Sequence, residues 1–364
     1  MEILKNTKNF PYIMLIAVYL TAAIGLLLMH GISTPTKPLF HKQMIHLCIA
    51  SVLLFGAALI NIRHIFHISF AIYAVSLILL ISVTIVGHTA MGATRWLNLG
   101  IVKIQPSELV KIGITMALAA YFHTIQYQNI AKPTTLLIPL AIILIPLIIV
   151  IKQPDLGTAL TISALSAIIL FLAGVKIWKF VVSITTLVIS MPIIWHYLYD
   201  YQKQRILTFI YPEHDSLGAG YNITQSKIAI GSGGFFGKGY LEGSQTQLNF
   251  LPEYQTDFVF SLFAEEFGFF GSIILLLLFF TIILSGINIA IHCKHTFGKL
   301  LTYGLVSILS LHIFINIGMV SGLLPVVGIP LPLISYGGSS LTTTFIAVGL
   351  MINIKINSHS RLAH

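Results

Sequence analysis

The run "LPEYQTDFVFSLFAEEFG", residues 251–268, holds four carboxylates, Glu253, Asp257, Glu265 and Glu266, out of 11 acidic residues in a chain of 364. They stand at the entrance to, and inside, a segment that stays apolar to Ile291, where burying a charge is most costly. A carboxylate at such a boundary has proton-transfer chemistry open to it, provided water and a polar substrate reach it. Glu108 and Lys111, three apart in "IQPSELVKI" (104–112), form a second charged group. On an exposed helix such a pair is worth roughly 0.2–0.5 kcal/mol. Within a membrane each neutralises the other, and two readings stand side by side: a functional pair, or an internal structural salt bridge. Arg95 has the planar fork that holds a phosphate through two parallel hydrogen bonds. Its neighbour Trp96 is most simply an interfacial anchor.

The elements that must position these groups follow from composition. The chain is 56% hydrophobic and 9% charged, against roughly 25% charged in an average soluble domain. Stretches such as 64–94, 267–293 and 300–354 lack Asp, Glu, Lys and Arg altogether. A membrane span needs about 20 mostly apolar residues, and a soluble core would need polar surfaces that this composition does not provide. The expected class is an all-α integral membrane protein with about ten transmembrane helices, at roughly 10–29, 43–60, 66–86, 107–122, 134–151, 157–173, 175–197, 258–286, 299–319 and 336–354. A long external loop, 199–256, separates helices 7 and 8, and residues 1–364 form a single polytopic domain. The first span follows Lys5 and Lys8 without a small-residue cleavage pattern, so it is read as a retained helix. The net charge of +9 is dispersed, with no basic run; it reads as topology-setting charge, and nucleic acid is not an expected partner. With the N-terminus cytoplasmic, the acids apart from Glu2, Glu265 and Glu266 fall at or beyond the outer boundary. Polar chemistry is concentrated on one face.

Four even-numbered helices begin at that face near proline: after "IQPSELVKI", "KQPDLGTAL" (152–160), "LPEYQTDFVF" and "LPLISYGGSS" (331–340). Proline suits a first helical turn, and Asp155 and Thr256 are plausible N-caps. Their unpaired N–H groups would favour an anion, although prolines also simply start helices. The loop "GSGGFFGKGYLEG" (231–243) resembles a phosphate loop but has Ser232 and Gly239 where that pattern needs Gly and Ser or Thr. It reads as a flexible, close-packing external loop. The segment 320–338 is apolar yet broken by prolines and glycines; such backbone at membrane depth is tolerated where it lines a cavity or is buried in protein. It is expected to wall a cavity open to the outside.

Together "GATRWLNLG", "IQPSELVKI", "KQPDLGTAL", "QSKIAIGSGGFFGKGYLEGSQTQLNFLPEYQTDFVFSLFAEEFG" and "NIGMVSGLLPVVGIPLPLISYGGSS" resemble the SEDS family (shape, elongation, division, sporulation) over nearly the whole chain. The run "SQTQLNFLPE", and Val327 where the division branch usually has Lys, resemble the elongation branch. The resemblance implies a multi-pass protein of the bacterial cytoplasmic (inner) membrane with both termini cytoplasmic. It implies a peptidoglycan glycosyltransferase that polymerises lipid II at the outer face during elongation. A class B penicillin-binding protein transpeptidase is the implied partner, with other rod-complex membrane proteins and with undecaprenyl-linked glycan as ligand.

That chemistry joins the GlcNAc 4-hydroxyl of lipid II to a strand carried on undecaprenyl pyrophosphate. The hydroxyl needs a general base, typically worth about 10²–10⁴ in rate; the leaving pyrophosphate needs positive charge, dipoles or a divalent cation. By resemblance Asp257 is the catalytic aspartate. Glu253, one turn earlier if the helix extends that far, is a modulator whose charge would raise the pKa of Asp257. Glu108, Lys111, Arg95, Trp96, Asp155, Arg205, Lys227 and Ser339 are the substrate-binding or supporting candidates. No organic cofactor is expected and no protein metal site; a divalent cation such as Mg²⁺ is the one candidate cofactor. Glu265 and Glu266 lie about 12–14 Å deeper at the helical rise, and read as an interior polar network. The family motif usually has His where this chain has Gln255, which cannot titrate. A lipid II flippase and a non-catalytic scaffold of the cell-wall complex are the alternatives.

Overall fold

In the computed structural model, all residues are described except 1–9, 36, 87, 91–92, 99–102, 131, 154, 199, 212–217, 244–252, 361 and 363–364. The apolar runs become long helices: α1 (Tyr12–Gly31), α2 (Leu39–Leu59), α3 (Ile62–Val86), α4 (Pro106–Thr124), α5 (Pro133–Lys152), α6 (Leu156–Ala173) and α7 (Ile177–Tyr197). Two shorter helices follow, α8 (Asp200–Ile210) and α9 (Ala219–Ser232), then α10 (Val259–His292), α11 (Thr296–Val320) and α12 (Gly338–Ile356). Among the described residues, eight helices are long and apolar enough to cross a membrane: α1, α2, α3, α5, α6, α10, α11 and α12. The expected count of ten adds α4, which carries Glu108 and Lys111, and α7, whose apolar part is the shorter Ile177–Ile193. Large apolar side chains such as Ile184, Leu187, Val188 and Ile193 of α7 lie more than half exposed. Such a surface is at home in hydrocarbon and a liability in water.

α4 and α11 form the interior. α4 packs on α3 and α11, α11 on α10, α4 and α6, and α12 on α2. Nearly every side chain of α4 from Pro106 to Ala120 is buried. Its first turn contains Pro106, as expected, but the wider proline pattern is only partly realised. Pro133 starts α5, an odd-numbered helix; α12 begins six residues beyond Pro332; and Pro154 and Pro252 lie outside the described residues. One element departs from the all-helical expectation. Between α3 and α4 a three-stranded antiparallel sheet runs β1 (His88–Ala90), β2 (Ala93–Asn98), β3 (Lys103–Ile104).

The segment expected as one long external loop is partly helical, and its glycine-rich end is packed rather than free. α10 breaks at Gly268, whose φ of 65° is left-handed; only Gly adopts it without strain. A helix broken at membrane depth needs its backbone groups paired by protein, and residues 234–239 supply the partners. Phe269 and Phe270 N–H donate to the carbonyls of Gly234 and Phe235, at 2.9 and 3.0 Å. Lys238 and Gly239 N–H donate to Glu265 and Glu266, at 3.0 and 3.1 Å. The Lys238 ammonium also meets Glu265 Oε1 at 2.7 Å. The two deep acids thus form part of a buried polar network, with the glycine loop as its other half.

Candidate active site

Asp257 lies in a turn, residues 253–258, just ahead of α10. Sequence placed it at the start of the helix, with Glu253 one turn back on the same face. The helix instead begins at Val259, with Phe258 at its N-cap and no side-chain cap. Glu253 has φ 65° and its carboxylate accepts a hydrogen bond from Thr256 Oγ1 at 3.0 Å. Thr256 therefore closes this turn instead of capping the helix, and Glu253 braces the loop without extending the helix.

The turn is fixed from outside itself. The Thr256 carbonyl accepts from Ser335 Oγ at 2.6 Å, and the Gln255 carbonyl from Tyr336 N–H at 2.8 Å. Gln43 of α2 in turn donates to the Ser335 carbonyl and accepts from Gly337 N–H, each at 3.3 Å. The Asp257 carbonyl accepts from Asn316 Nδ2 of α11 at 2.8 Å. Asp257 itself is half-buried, and its Oδ2 faces Gly328, where an added Cβ would lie 3.3 Å away. The broken segment 321–337 therefore backs directly onto the aspartate. It is seated on α6 at Gly157, where a Cβ would come within 2.8 Å of the Val327 carbonyl.

The other candidates separate into braces and open positions. Asp155 caps α6: its oxygens accept from Thr158 N–H at 3.3 Å and Thr158 Oγ1 at 2.8 Å, and it is buried. Glu108 and Lys111 form a 2.7 Å ion pair, and Lys111 is only 1% exposed. Its Nζ also lies 2.6 Å from His312 Nε2. So enclosed, Lys111 is held away from any headgroup, and the pair joins α4 to α11. Ser339 accepts from Gln105 N–H at 2.8 Å, tying the start of α12 to that of α4. Trp96 is half-buried in β2; Arg95 shares that strand and its side chain lies outside the described residues. Arg205 is half-buried on α8. Lys227 is exposed on α9, close beside Gly322.

Asn316, His312, Ser335 and Gln43 were not singled out from sequence. The signal for the first two was a polar residue inside an apolar helix, His312 and Asn316 being one turn apart. A groove of about 400 Å³ between α6, α10 and α11 is lined by Ile168, Ile283, Ile287, Tyr303, Leu311 and Phe314. It is apolar and offers no group suited to deprotonating a sugar.

Comparison with known proteins agrees with this architecture. Residues 11–360 match the family model of the FtsW, RodA and SpoVE cell cycle proteins. The peptidoglycan glycosyltransferase MrdB of Escherichia coli K12 is 45% identical over 287 residues, covering 78% of this chain and 76% of that one. The probable peptidoglycan glycosyltransferase FtsW of Geobacter metallireducens is 38% identical over 281 residues, 76% of this chain and 74% of that one. Among solved structures, one describing coordination of polymerization and crosslinking by a peptidoglycan synthase complex superposes with a TM-score of 0.86. It is 29% identical and covers 97% of this chain and 99% of that one. The rod shape determining protein RodA of Thermus thermophilus superposes with a TM-score of 0.73 at 27% identity, covering 96% of this chain and 97% of that one. The chain belongs to the FtsW, RodA and SpoVE family of cell cycle proteins.

Proposed function

We propose that this multi-pass membrane protein is a peptidoglycan glycosyltransferase that polymerises lipid II at the outer face of the bacterial cytoplasmic membrane, with ten spans, both termini cytoplasmic and Asp257 as general base. The glycosyltransferase activity rests on the family and on relatives bearing that name. The observation that carries the assignment of the base is the seating of Asp257. It is half-buried in a turn held by two other parts of the chain, α11 through Asn316 and the segment at Ser335 and Tyr336, whereas Glu108, Asp155 and Glu265 are buried.

In this reading the GlcNAc 4-hydroxyl of lipid II attacks the anomeric carbon of the strand held on undecaprenyl pyrophosphate. The new C–O bond forms as the bond to pyrophosphate breaks, and the hydroxyl proton passes to the Asp257 carboxylate. Fixing the turn on both sides holds the base ready for the attack. Of the cationic candidates whose side chains are described, Lys111 is buried, Arg205 half-buried and Lys227 exposed, so Lys227 is assigned to the phosphate. Among the described residues no three His, Cys, Asp or Glu side chains cluster to hold a metal. Mg²⁺ typically takes one or two carboxylates plus substrate phosphates. A divalent cation would be held chiefly by the substrate's pyrophosphate oxygens and would neutralise charge on the leaving group, leaving the Asp257 carboxylate to take the hydroxyl proton. The neighbouring structure, a peptidoglycan synthase complex that coordinates polymerization and crosslinking, supports a crosslinking partner, which in this reading is a class B penicillin-binding protein; other rod-complex proteins rest on the family resemblance.

The test is polymerisation of lipid II by the purified protein with its partner, wild type against Asp257→Ala. Loss of polymer in the mutant is expected. Undiminished polymer would remove Asp257 from the mechanism. Flipping of lipid II without polymerisation would favour the transporter reading, and neither activity the scaffold.

A further inference from the structure

We propose that Asn316 is a positioning residue for the reaction: by donating both carboxamide hydrogens, it sets the gap in which the Asp257 carboxylate works. The inference rests on Asp257 being the base. Asn316 is fully buried on α11, one turn from its end at Val320. Its Nδ2 lies 2.8 Å from the Asp257 carbonyl and 2.8 Å from the Ile329 carbonyl.

Those two acceptors belong to segments far apart in sequence, and they are the two sides of one gap. Asp257 presents Oδ2 to Gly328, the residue next to Ile329. One amide group therefore fixes the carboxylate's own backbone and the backbone facing it. Ser335 and Tyr336 hold the preceding carbonyls of Thr256 and Gln255; Asn316 holds that of Asp257. The amide orientation is unambiguous, because a flipped group would set Oδ1 against two carbonyl oxygens. Asn316 Oδ1 is buried with no hydrogen-bond partner among the described residues. Keeping a polar group there carries a penalty that an apolar residue would avoid, which argues that the two donors are what the position is for. α11 is itself anchored one turn below, where His312 meets Lys111.

The experiment compares steady-state lipid II polymerisation by Asn316→Ala, Asn316→Asp and wild type, each purified with the crosslinking partner, with rates expressed per folded molecule from size-exclusion and thermal melting. Asn316→Asp keeps the shape and removes the paired donors. The expected result is a fall in kcat of about 10²-fold, the scale of an ångström-sized misplacement, with KM little changed. A residue that only supports the fold would lower the yield of folded protein and leave kcat per folded molecule alone; that result overturns the proposal. Should Asn316→Ala fail to fold, the same kcat and KM split is read on Asn316→Ser, which keeps one donor and should lie between. Asp257→Ala runs alongside. If it polymerises as wild type does, the reading of the base has failed. If it is inactive while the Asn316 variants keep wild-type kcat, only the positioning inference has failed.

Discussion

Lys111 Nζ lies 2.6 Å from His312 Nε2, a fully buried contact between α4 and α11. With Glu108 Oε1 at 2.7 Å on its other side, the lysine is an ammonium donating to both, so the imidazole is neutral with its proton on Nδ1. This triad sets the height of α11, and Asn316 is carried one turn above it.

Removing one charge of this group should cost more than removing the neutral member. Lys111→Met leaves Glu108 charged in an apolar interior, a loss of about 3–5 kcal/mol. His312→Leu forfeits one hydrogen bond to a charged group, about 1.5–3 kcal/mol. Glu108→Gln combined with Lys111→Met should recover part of the first loss, because no charge is stranded. Melting temperatures in detergent should therefore rank Lys111→Met lowest, with His312→Leu between it and wild type. A His312→Leu protein as unstable as Lys111→Met would deny the imidazole the subordinate role given to it.

How much of this was legible in the sequence depends on how local each cause is. The start of α4 at Pro106 and the cap at Asp155 lie within a few residues of what they organise, and the apolar runs announce their helices. The place where α10 begins is not local. Tyr336 and Ser335, some 80 residues away, hold the carbonyls of Gln255 and Thr256, and Glu253 turns to a left-handed φ. Periodicity in "LPEYQTDF" carries no trace of that. The sheet at 88–104 escaped because β1 and β3, of three and two residues, are too short to show an alternation, and the six residues of β2, ATRWLN, do not alternate. His312 and Asn316 each resemble a lone polar residue in an apolar helix, and only packing brings them to Lys111 and Asp257.

Lys238 and Glu265 should respond unequally to mutation although they share one ion pair. The Glu265 side chain is 0% exposed, that of Lys238 28%. Lys238→Met removes the ammonium from a sealed carboxylate, costing about 3–5 kcal/mol. Glu265→Gln leaves an ammonium that can reach water and a neutral amide that still accepts, so the loss should be smaller. Limited proteolysis between residues 233 and 243 checks this: cleavage should accelerate more in Lys238→Met. Equal sensitivity would mean that the backbone bonds to Glu265 and Glu266 hold the loop by themselves.

His295 gives the fold an acid-sensitive component. It lies between α10 and α11, and its Nδ1 accepts from Gly298 N–H at 2.9 Å, capping α11. Burial, with a further push from His123, lowers its pKa from 6.5 to about 4. The unfolded chain therefore binds this proton more readily, so the stability is present above pH 6.5 and declines as pH falls from there to about 4. Protonating Nδ1 also removes the cap. His295→Asn keeps an oxygen cap that does not titrate. Melting temperature measured from pH 7 down to 4 should fall less steeply in His295→Asn than in wild type; parallel curves would reject the assignment.

Gly328 closes the gap opposite Asp257, and its φ of 71° lies where side chains are strained. An added Cβ would sit 3.3 Å from Asp257 Oδ2, tighter than comfortable carbon–oxygen packing, so Gly328→Ala brings a backbone cost of about 1–3 kcal/mol and a displaced carboxylate. The strained residue can relax only by moving its own segment, which Asn316 holds at Ile329, or the aspartate, which Asn316 holds at its carbonyl. Either movement changes the distance between the Asp257 carboxylate, the proposed base, and the substrate hydroxyl. Polymerisation by Gly328→Ala should therefore drop by roughly 10- to 100-fold, while Lys227 and the rest of the external surface remain in place and lipid II is still bound. Gly231→Ala, whose Cβ would meet nothing within 4 Å, is the matched control and should polymerise normally. If Gly328→Ala keeps full kcat, the gap between residues 257 and 328 is wider in the working enzyme than here, and Asp257 reaches its substrate from elsewhere.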